Sequence, residues 1–285
     1  MPQPPVAVVT GASRGAGRGI ARALGSHGCI VYVTGRSQKE GDASLPGTIY
    51  ETAEAVTGAG GTGIAVRVDH AEDAEVRALF DRIQAEQGRL DILVNNACAV
   101  HDQLVGPGAF WEKPMEIADM INVGVRSGFV ATYLAAPMLI AGGRKLVIFT
   151  SSSGAVHYML SPAYGAHKAG IDKLAADMAF EFREQDVAVL SIWMGGLMTD
   201  RVKAIFAADP EKYAHMEGRM ETPEYTGHVI WALFNDPDVM AMSGQTVIGA
   251  EMGEKYGVLD EGGVQPPSCR ATHGEPRVQY PFVIR

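Results

Sequence analysis

Apolar residues in this chain come in short unbroken runs, separated by longer stretches with a helical period. The first run is residues 6–10, and others follow at 30–34, 63–68, 90–95, 145–150 and 187–193, each apolar on both faces rather than alternating. Such runs suit strands buried on both sides, as in a parallel sheet covered by helices. Between them, residues 20–24, 49–57, 71–87, 115–139 and 163–185 carry helix formers, and several of these stretches stop at Gly or polar residues. Crossovers of that length are what parallel neighbours need. No internal repeat or compositional break divides the chain. The pattern therefore predicts one α/β domain over residues 1–261: a doubly wound Rossmann fold whose parallel sheet has about seven strands flanked by helices.

Two segments stand outside that alternation. Residues 37–47, rich in Gly, Ser and charge, read as a surface loop that lengthens the second crossover near the nucleotide-binding edge. Residues 262–285 carry Pro266, Pro267, Pro276 and Pro281 with little periodicity, and read as a tail that is extended or disordered unless it docks on a partner subunit.

Composition narrows the partners. A chain of 285 residues, 47% hydrophobic and 20% charged, buries a full core. Its formal net charge of −9 disfavours nucleic acid and anionic membrane, which require a basic surface, so any bound phosphate must be met locally. Residues 1–5 lack a basic leader region, and no apolar run approaches the roughly 20 residues of a membrane span. Cys29, Cys98 and Cys269 are odd in number, far apart and without metal-ligand spacing, which fits reduced thiols. The expectation is a cytoplasmic protein that holds no metal.

Candidate chemistry begins after the first strand. Thr10-Gly-Ala-Ser-Arg-Gly-Ala-Gly17 opens the first helix. Gly11 permits the tight turn, while Gly15 and Gly17 let the backbone and the helix N-terminus approach a pyrophosphate, with Ser13 and Arg14 between them. No Gly-Lys-Ser/Thr follows, which removes a P-loop reading. At the end of the second strand, where an NAD enzyme carries an acidic residue for the ribose, stand Gly35, Arg36 and Ser37. Arg14 and Arg36 then read as a clamp for a 2′-phosphate, favouring NADP(H) while NAD(H) stays open; the alternative for each is a solvated surface residue. Asp69 closes the third strand and reads as a partner of the adenine amino group or as the N-cap ahead of Ala71.

Tyr164 and Lys168 lie four apart in a helical stretch and so share a face. An ammonium beside the tyrosine favours its phenolate, the form a general base needs. Ser151 ends the fifth strand thirteen residues earlier, at the sheet edge where open α/β folds bind ligands. Tyr-x-x-x-Lys or a run of serines alone is common by chance. The ordered set of glycine turn, Asn95-Asn-Ala97, Asn122, Ser151, Tyr164 and Lys168 is not.

These residues resemble the short-chain dehydrogenase/reductase superfamily, whose motifs read Thr-Gly-x-x-x-Gly-x-Gly, Asn-Asn-Ala-Gly, an active-site Asn, Ser and Tyr-x-x-x-Lys. The match spans about residues 6–250, and the segments 109–114, 121–124, 172–177 and 191–193 look like one vertebrate branch and its bacterial relatives. The resemblance implies that Tyr164 is the general acid/base, that Lys168 assists it and holds the nicotinamide ribose, that Ser151 orients the carbonyl and that Asn122 supports a water-mediated proton path. It implies that Asn95 to Ala97 fix the sheet edge beside the adenine ribose, that Gly195 and Thr199 belong to the nicotinamide loop, and that the chain is a homodimer or homotetramer built on its two long helices. Two departures matter: Cys98 stands where the family usually has Gly, and Met194 where it usually has Pro.

Residues 194–221 are then the substrate lid. Its Leu197, Met198, Val202, Ile205 and Phe206, with Met159, Leu160, Phe110 and Trp111, suggest a hydrophobic, cyclic or aromatic carbonyl substrate unless they pack on the core. His157 and His101 receive no role. The expected function is NADP(H)-dependent hydride transfer between nicotinamide and a carbonyl or secondary alcohol. The alternatives are an NADP(H)-sensing regulator without catalysis, and a dehydratase, epimerase or lyase using the same tyrosine.

Overall fold

The computed structural model describes residues 3–141, 143–216, 218–280 and 282–284. Met1, Pro2, Gly142, Glu217, Pro281 and Arg285 lie outside the described residues, and with them those parts of the amino-terminal, lid and tail readings. Seven strands, β1 (Val6–Val9), β2 (Ile30–Gly35), β3 (Thr62–Arg67), β4 (Ile92–Asn95), β5 (Lys145–Ser151), β6 (Val187–Trp193) and β7 (Thr246–Ile248), pair in the order 3-2-1-4-5-6-7, all parallel. The winding reverses between β1 and β4, which opens a crevice at the carboxyl ends of the strands.

The unbroken apolar runs follow from burial on both faces. In β1, Ala7 and Val9 join one core and Val6 and Val8 the other. The first core lies under α1 (Gly15–Ser26) and α2 (Ile49–Gly58), through Ile20, Leu24, Ile49 and Val56. The second lies under α3 (Asp73–Gln87), α4 (Ser127–Leu139) and α5 (Pro162–Phe182), through Leu79, Phe80, Met138, Leu139 and Ile171. The segment expected to be the lid follows β6 and contains α6 (Asp200–Ala208) and the single turn α7 (Pro210–Tyr213). Then come α8 (Tyr225–Asn235), whose Val229, Ile230 and Leu233 complete the first core, β7, and α9 (Gly249–Tyr256).

Two expectations are corrected. Residues 115–139 are not one helix: a turn at Met115–Ala118 and a wide helical turn at Ile121–Arg126 precede α4, and Val123 and Gly124 leave helical geometry at φ −96°, ψ 84° and φ 160°, ψ −71°. The tail is not extended throughout. Pro266 is buried, Ser268 donates to Glu251, and α10 (Arg270–His273) is pinned to α9 by Arg270, whose guanidinium donates to both Glu251 oxygens at 2.8 Å. His273 and Gly274 lie against His157 and Val156, in the loop ahead of α5. Beyond Glu275 the tail exposes Val278, Tyr280, Phe282 and Ile284.

At the amino ends of the strands, buried Asp91 ties three of them together. Its carboxylate accepts from the Lys145 ammonium at 2.6 Å and from the Val6 N–H at 2.8 Å. Removing one partner of a buried pair leaves the other charge uncompensated. Asp91→Ala is therefore expected to lower unfolding free energy by about 3–5 kcal/mol in urea titrations, with part of the loss recovered in Asp91→Ala/Lys145→Met.

Candidate active site

The crevice is assembled around the end of β1. Gly11 adopts φ +65°, and a Cβ there would sit 2.7 Å from the Ala97 Cα, so the glycine turn passes directly over the chain leaving β4. The Thr10 hydroxyl accepts from the N–H groups of Asn96 and Ala97, both at 2.9 Å. The Asn96 side-chain amide donates back to the carbonyls of Thr10 and Gly11 at 2.9 and 3.1 Å. Asn96 is thus the residue that staples the two strand ends. Asn95, expected in that place, turns the other way: its amide donates to Thr132 on α4 at 3.0 Å. The turn continues through buried Ser13 into α1, which starts at Gly15 and includes Gly17. Among the described residues no side chain caps this helix, and no acidic residue stands in its first turn, so its leading N–H groups have no side-chain acceptor there.

The expected arginine clamp is half committed elsewhere. Arg14 donates to the Pro46 and Gly47 carbonyls at 3.0 and 2.7 Å and to Ser37 at 2.8 Å, fastening the 37–47 loop to the turn. Burial, then the charges of Arg201 and Arg36, push its pKa down. Arg36 is exposed, its side chain 69% accessible, with the Asp69 carboxylate 3.7 Å away. Asp69 accepts from the Ala71 N–H at 3.0 Å, closing a local turn, while α3 itself starts two residues later at Asp73.

The reacting edge lies at the ends of β5 and β6. Tyr164 and Lys168 share the inner face of α5, with the Lys168 ammonium 5.6 Å from the tyrosine ring centre and held by the Thr150 carbonyl at 3.1 Å. The hydroxyl that meets the Tyr164 Oη, at 2.8 Å, belongs to Ser152. Ser151 is fully buried on the opposite side, its Oγ 3.5 Å from the Lys168 carbonyl. The cause is strand parity: Phe149 and Ser151 point under α5, so the next residue points into the crevice. The spacing to the tyrosine is twelve residues, not thirteen. Behind this edge, buried Asp172 accepts from Ser191 at 2.5 Å and from the Trp193 indole at 2.9 Å; burial pushes its pKa up against those bonds.

Asn122 lies exposed in the wide turn before α4, and its carbonyl accepts from the Ser127 N–H. His167, 2% exposed, packs against that turn: a Cβ on Gly124 would fall 2.5 Å from its Nε2. Burial, aided by the Lys168 charge, pushes His167 down to about 3, so the ring stays neutral. The Cys98 sulfur lies 3.7 Å from its Nδ1, so the unusual cysteine after Ala97 meets a residue between Tyr164 and Lys168. After β6, the Gly195 N–H donates to the Glu221 carboxylate at 3.1 Å. Thr199 caps α6 by accepting from Val202, and its methyl lies 3.8 Å from a Cβ position on Gly15. The lid's Leu197, Met198, Val202, Ile205 and Phe206 are all half-buried, whereas Phe110 and Trp111 are exposed.

A family model described as short chain dehydrogenase matches residues 5–210. The chain belongs to the short-chain dehydrogenase family. It is 37% identical over 269 residues to human dehydrogenase/reductase SDR family member 1, covering 90% of this chain and 83% of that protein. The crystal structure of a putative dehydrogenase from Xanthomonas campestris superposes with TM-score 0.77 at 27% identity, over 92% of this chain and 94% of that one. A 7α-hydroxysteroid dehydrogenase complexed with NADH and 7-oxo glycochenodeoxycholic acid superposes at 0.71, also at 27% identity and with the same coverage.

Four residues at the site were not singled out as site residues by sequence reading: Ser152, Asn96, His167 and Glu221. For the first two the signal was present as doubled Ser and Asn; for the others the partner is distant in sequence. The Gly124–His167 contact makes a direct expectation. Gly124→Ala destabilises by about 1–3 kcal/mol, the usual cost of overpacking, and this cost shrinks in a His167→Ala background, measured as a double-mutant cycle by chemical denaturation.

Proposed function

We propose that this protein is an NADP(H)-dependent oxidoreductase that moves a hydride between nicotinamide and a carbonyl or secondary alcohol of an apolar substrate. The observation that carries this reading is the Ser152–Tyr164 hydroxyl pair at 2.8 Å, with the Lys168 ammonium beside the ring, at the carboxyl edge of the sheet. The crevice fits a dinucleotide on its own evidence: an uncapped helix N-terminus follows a turn in which a Cβ on Gly11 would strike Ala97.

In this reading the N-terminus of α1 and the glycine turn hold the pyrophosphate, Lys168 the nicotinamide ribose, and the Gly195–Thr199 stretch the carboxamide. When bound, the nicotinamide supplies or accepts the hydride at the substrate carbon. Tyr164 does the proton half of the reaction. In reduction its hydroxyl gives a proton to the carbonyl oxygen and is left as phenolate, which takes a proton back from solvent; oxidation runs the reverse. Ser152 donates a hydrogen bond to the same oxygen and orients it. The Lys168 ammonium, fixed by the Thr150 carbonyl, stabilises the phenolate as it forms.

Exposed Arg36 supports NADP(H), since its one ion pair among the described residues, a long one to Asp69 at 3.7 Å, leaves the guanidinium accessible to a 2′-phosphate and no acidic residue stands at Gly35. Arg14 takes part through its Nη1, which none of the loop bonds uses. The half-buried apolar residues of α6, and the bile-acid ketone named with one structural relative, support a bulky apolar carbonyl. Exposed Phe129 and Tyr133, stacked on α4 with ring centres 6.3 Å apart, support assembly of identical chains through α4 and α5.

The test is NADPH and NADH oxidation, followed by nicotinamide absorbance, against apolar ketones, quinones and steroids. Tyr164→Phe and Ser152→Ala lower kcat, the former by about a hundred- to ten-thousand-fold, while Ser151→Ala leaves the hydroxyl pair in place and acts mainly on stability. Arg36→Glu shifts preference toward NADH. NADPH binding without turnover anywhere on the panel overturns the catalytic reading in favour of a sensor.

A further inference from the structure

The chain leaves the sheet at the end of β6, crosses the lid and comes back at Glu221. This one residue holds four consecutive residues of the segment where the lid begins. The Glu221 N–H donates to the Gly196 carbonyl at 2.7 Å, and its carbonyl accepts from the Met198 N–H at 2.8 Å, forming a parallel bridge with Leu197. Its Oε2 accepts from the Gly195 N–H at 3.1 Å. The side chain is 1% exposed, and its second oxygen, Oε1, has no hydrogen-bond partner among the described residues. A Cβ on Gly195 would lie 2.4 Å from that oxygen, so carboxyl and loop are packed without clearance.

A carboxyl in this position is costly to bury, because one oxygen has given up water for nothing. The titratable groups that face it are the Asp260 carboxylate, the Tyr225 hydroxyl and the Cys269 thiol, and none brings positive charge. Asp260 is itself fixed, accepting from the Thr222 N–H at 2.7 Å. Burial, opposed by the Gly195 N–H and reinforced by the Asp260 charge, pushes Glu221 up to about 7. A glutamine of the same shape would bond Gly195 without that charge.

We propose that Glu221 is the positioning residue of the nicotinamide loop, clamping Gly195 to Met198 from the far end of the lid. The inference rests on reading this crevice as the nicotinamide site. Because the bond from Gly195 becomes charge-assisted when Glu221 ionises, the clamp tightens as pH rises through about 7. Global stability moves the other way. A carboxyl whose folded value lies above its ordinary 4.5 keeps a proton that the unfolded chain releases, so its contribution falls between about pH 4.5 and 7.

Those opposite signs define the experiment. Glu221→Gln is compared with the unsubstituted protein at pH 6 and pH 8 by trypsin cleavage of the lid after Arg201, Lys203 and Lys212 without cofactor, by NADPH affinity from nicotinamide fluorescence, and by thermal melting. At pH 8 the variant lid is cut about tenfold faster and NADPH binds about tenfold more weakly, the ratio expected for losing a charge-assisted hydrogen bond, while the variant melts higher. At pH 6 the two proteins converge. Equal lid cleavage at pH 8, or one cleavage ratio at both pH values, overturns the proposal. If the unsubstituted protein binds no dinucleotide, the nicotinamide reading fails, while the cleavage ratio still decides whether Glu221 holds the loop.

Discussion

A parallel sheet buried on both faces has to stop somewhere, and where it stops its backbone loses hydrogen-bond partners. The site is built from side chains and backbone that deal with this loss at the carboxyl edge. Thr10 and Asn96 exchange bonds across the ends of β1 and β4, Lys168 caps the last carbonyl of β5 before the serines, and Glu221 takes the N–H just beyond β6. Each solution fixes a segment that the proposed chemistry uses. The glycine turn, the serine facing Tyr164 and the loop leading into the lid are in place because these bonds hold the strand ends behind them.

The parts of this arrangement that depend on local spacing were legible in the sequence. The glycine turn follows directly from the first apolar run, and Tyr164 and Lys168 share a face because a helix has a fixed period. The doubly wound order likewise follows from runs apolar on both sides. At two strand ends the printed contacts fall on the neighbour of a residue singled out, and for one reason. Asn95 and Asn96, like Ser151 and Ser152, are identical neighbours at a strand end, and a shift of one position exchanges the buried face for the open one. Residue type cannot break that tie; only the register of β4 and β5 against their helices does.

The remaining differences arise from contacts distant in sequence. Arg14 reads as a free charge until the 37–47 loop is seen folded onto its guanidinium. The stretch 115–139 reads as one helix because Gly124 gives no local signal that a buried imidazole from α5 occupies the space beside it. Glu221 sits among polar residues at the end of a lid and gains its importance from Gly195, across the whole lid segment. The short strand β7 and the segment around α10 are held by neighbours rather than by pattern, the latter by Arg270 on Glu251.

The contact between Gly124 and His167 also constrains the order in which this sequence can diverge. While His167 occupies the space beside the wide turn, a side chain at 124 carries an overpacking cost. A smaller residue at 167 releases it, after which a side chain at 124 can grow into the vacated volume and close the way back. The two positions are therefore coupled: the cost of a side chain at 124 depends on the size of the residue at 167.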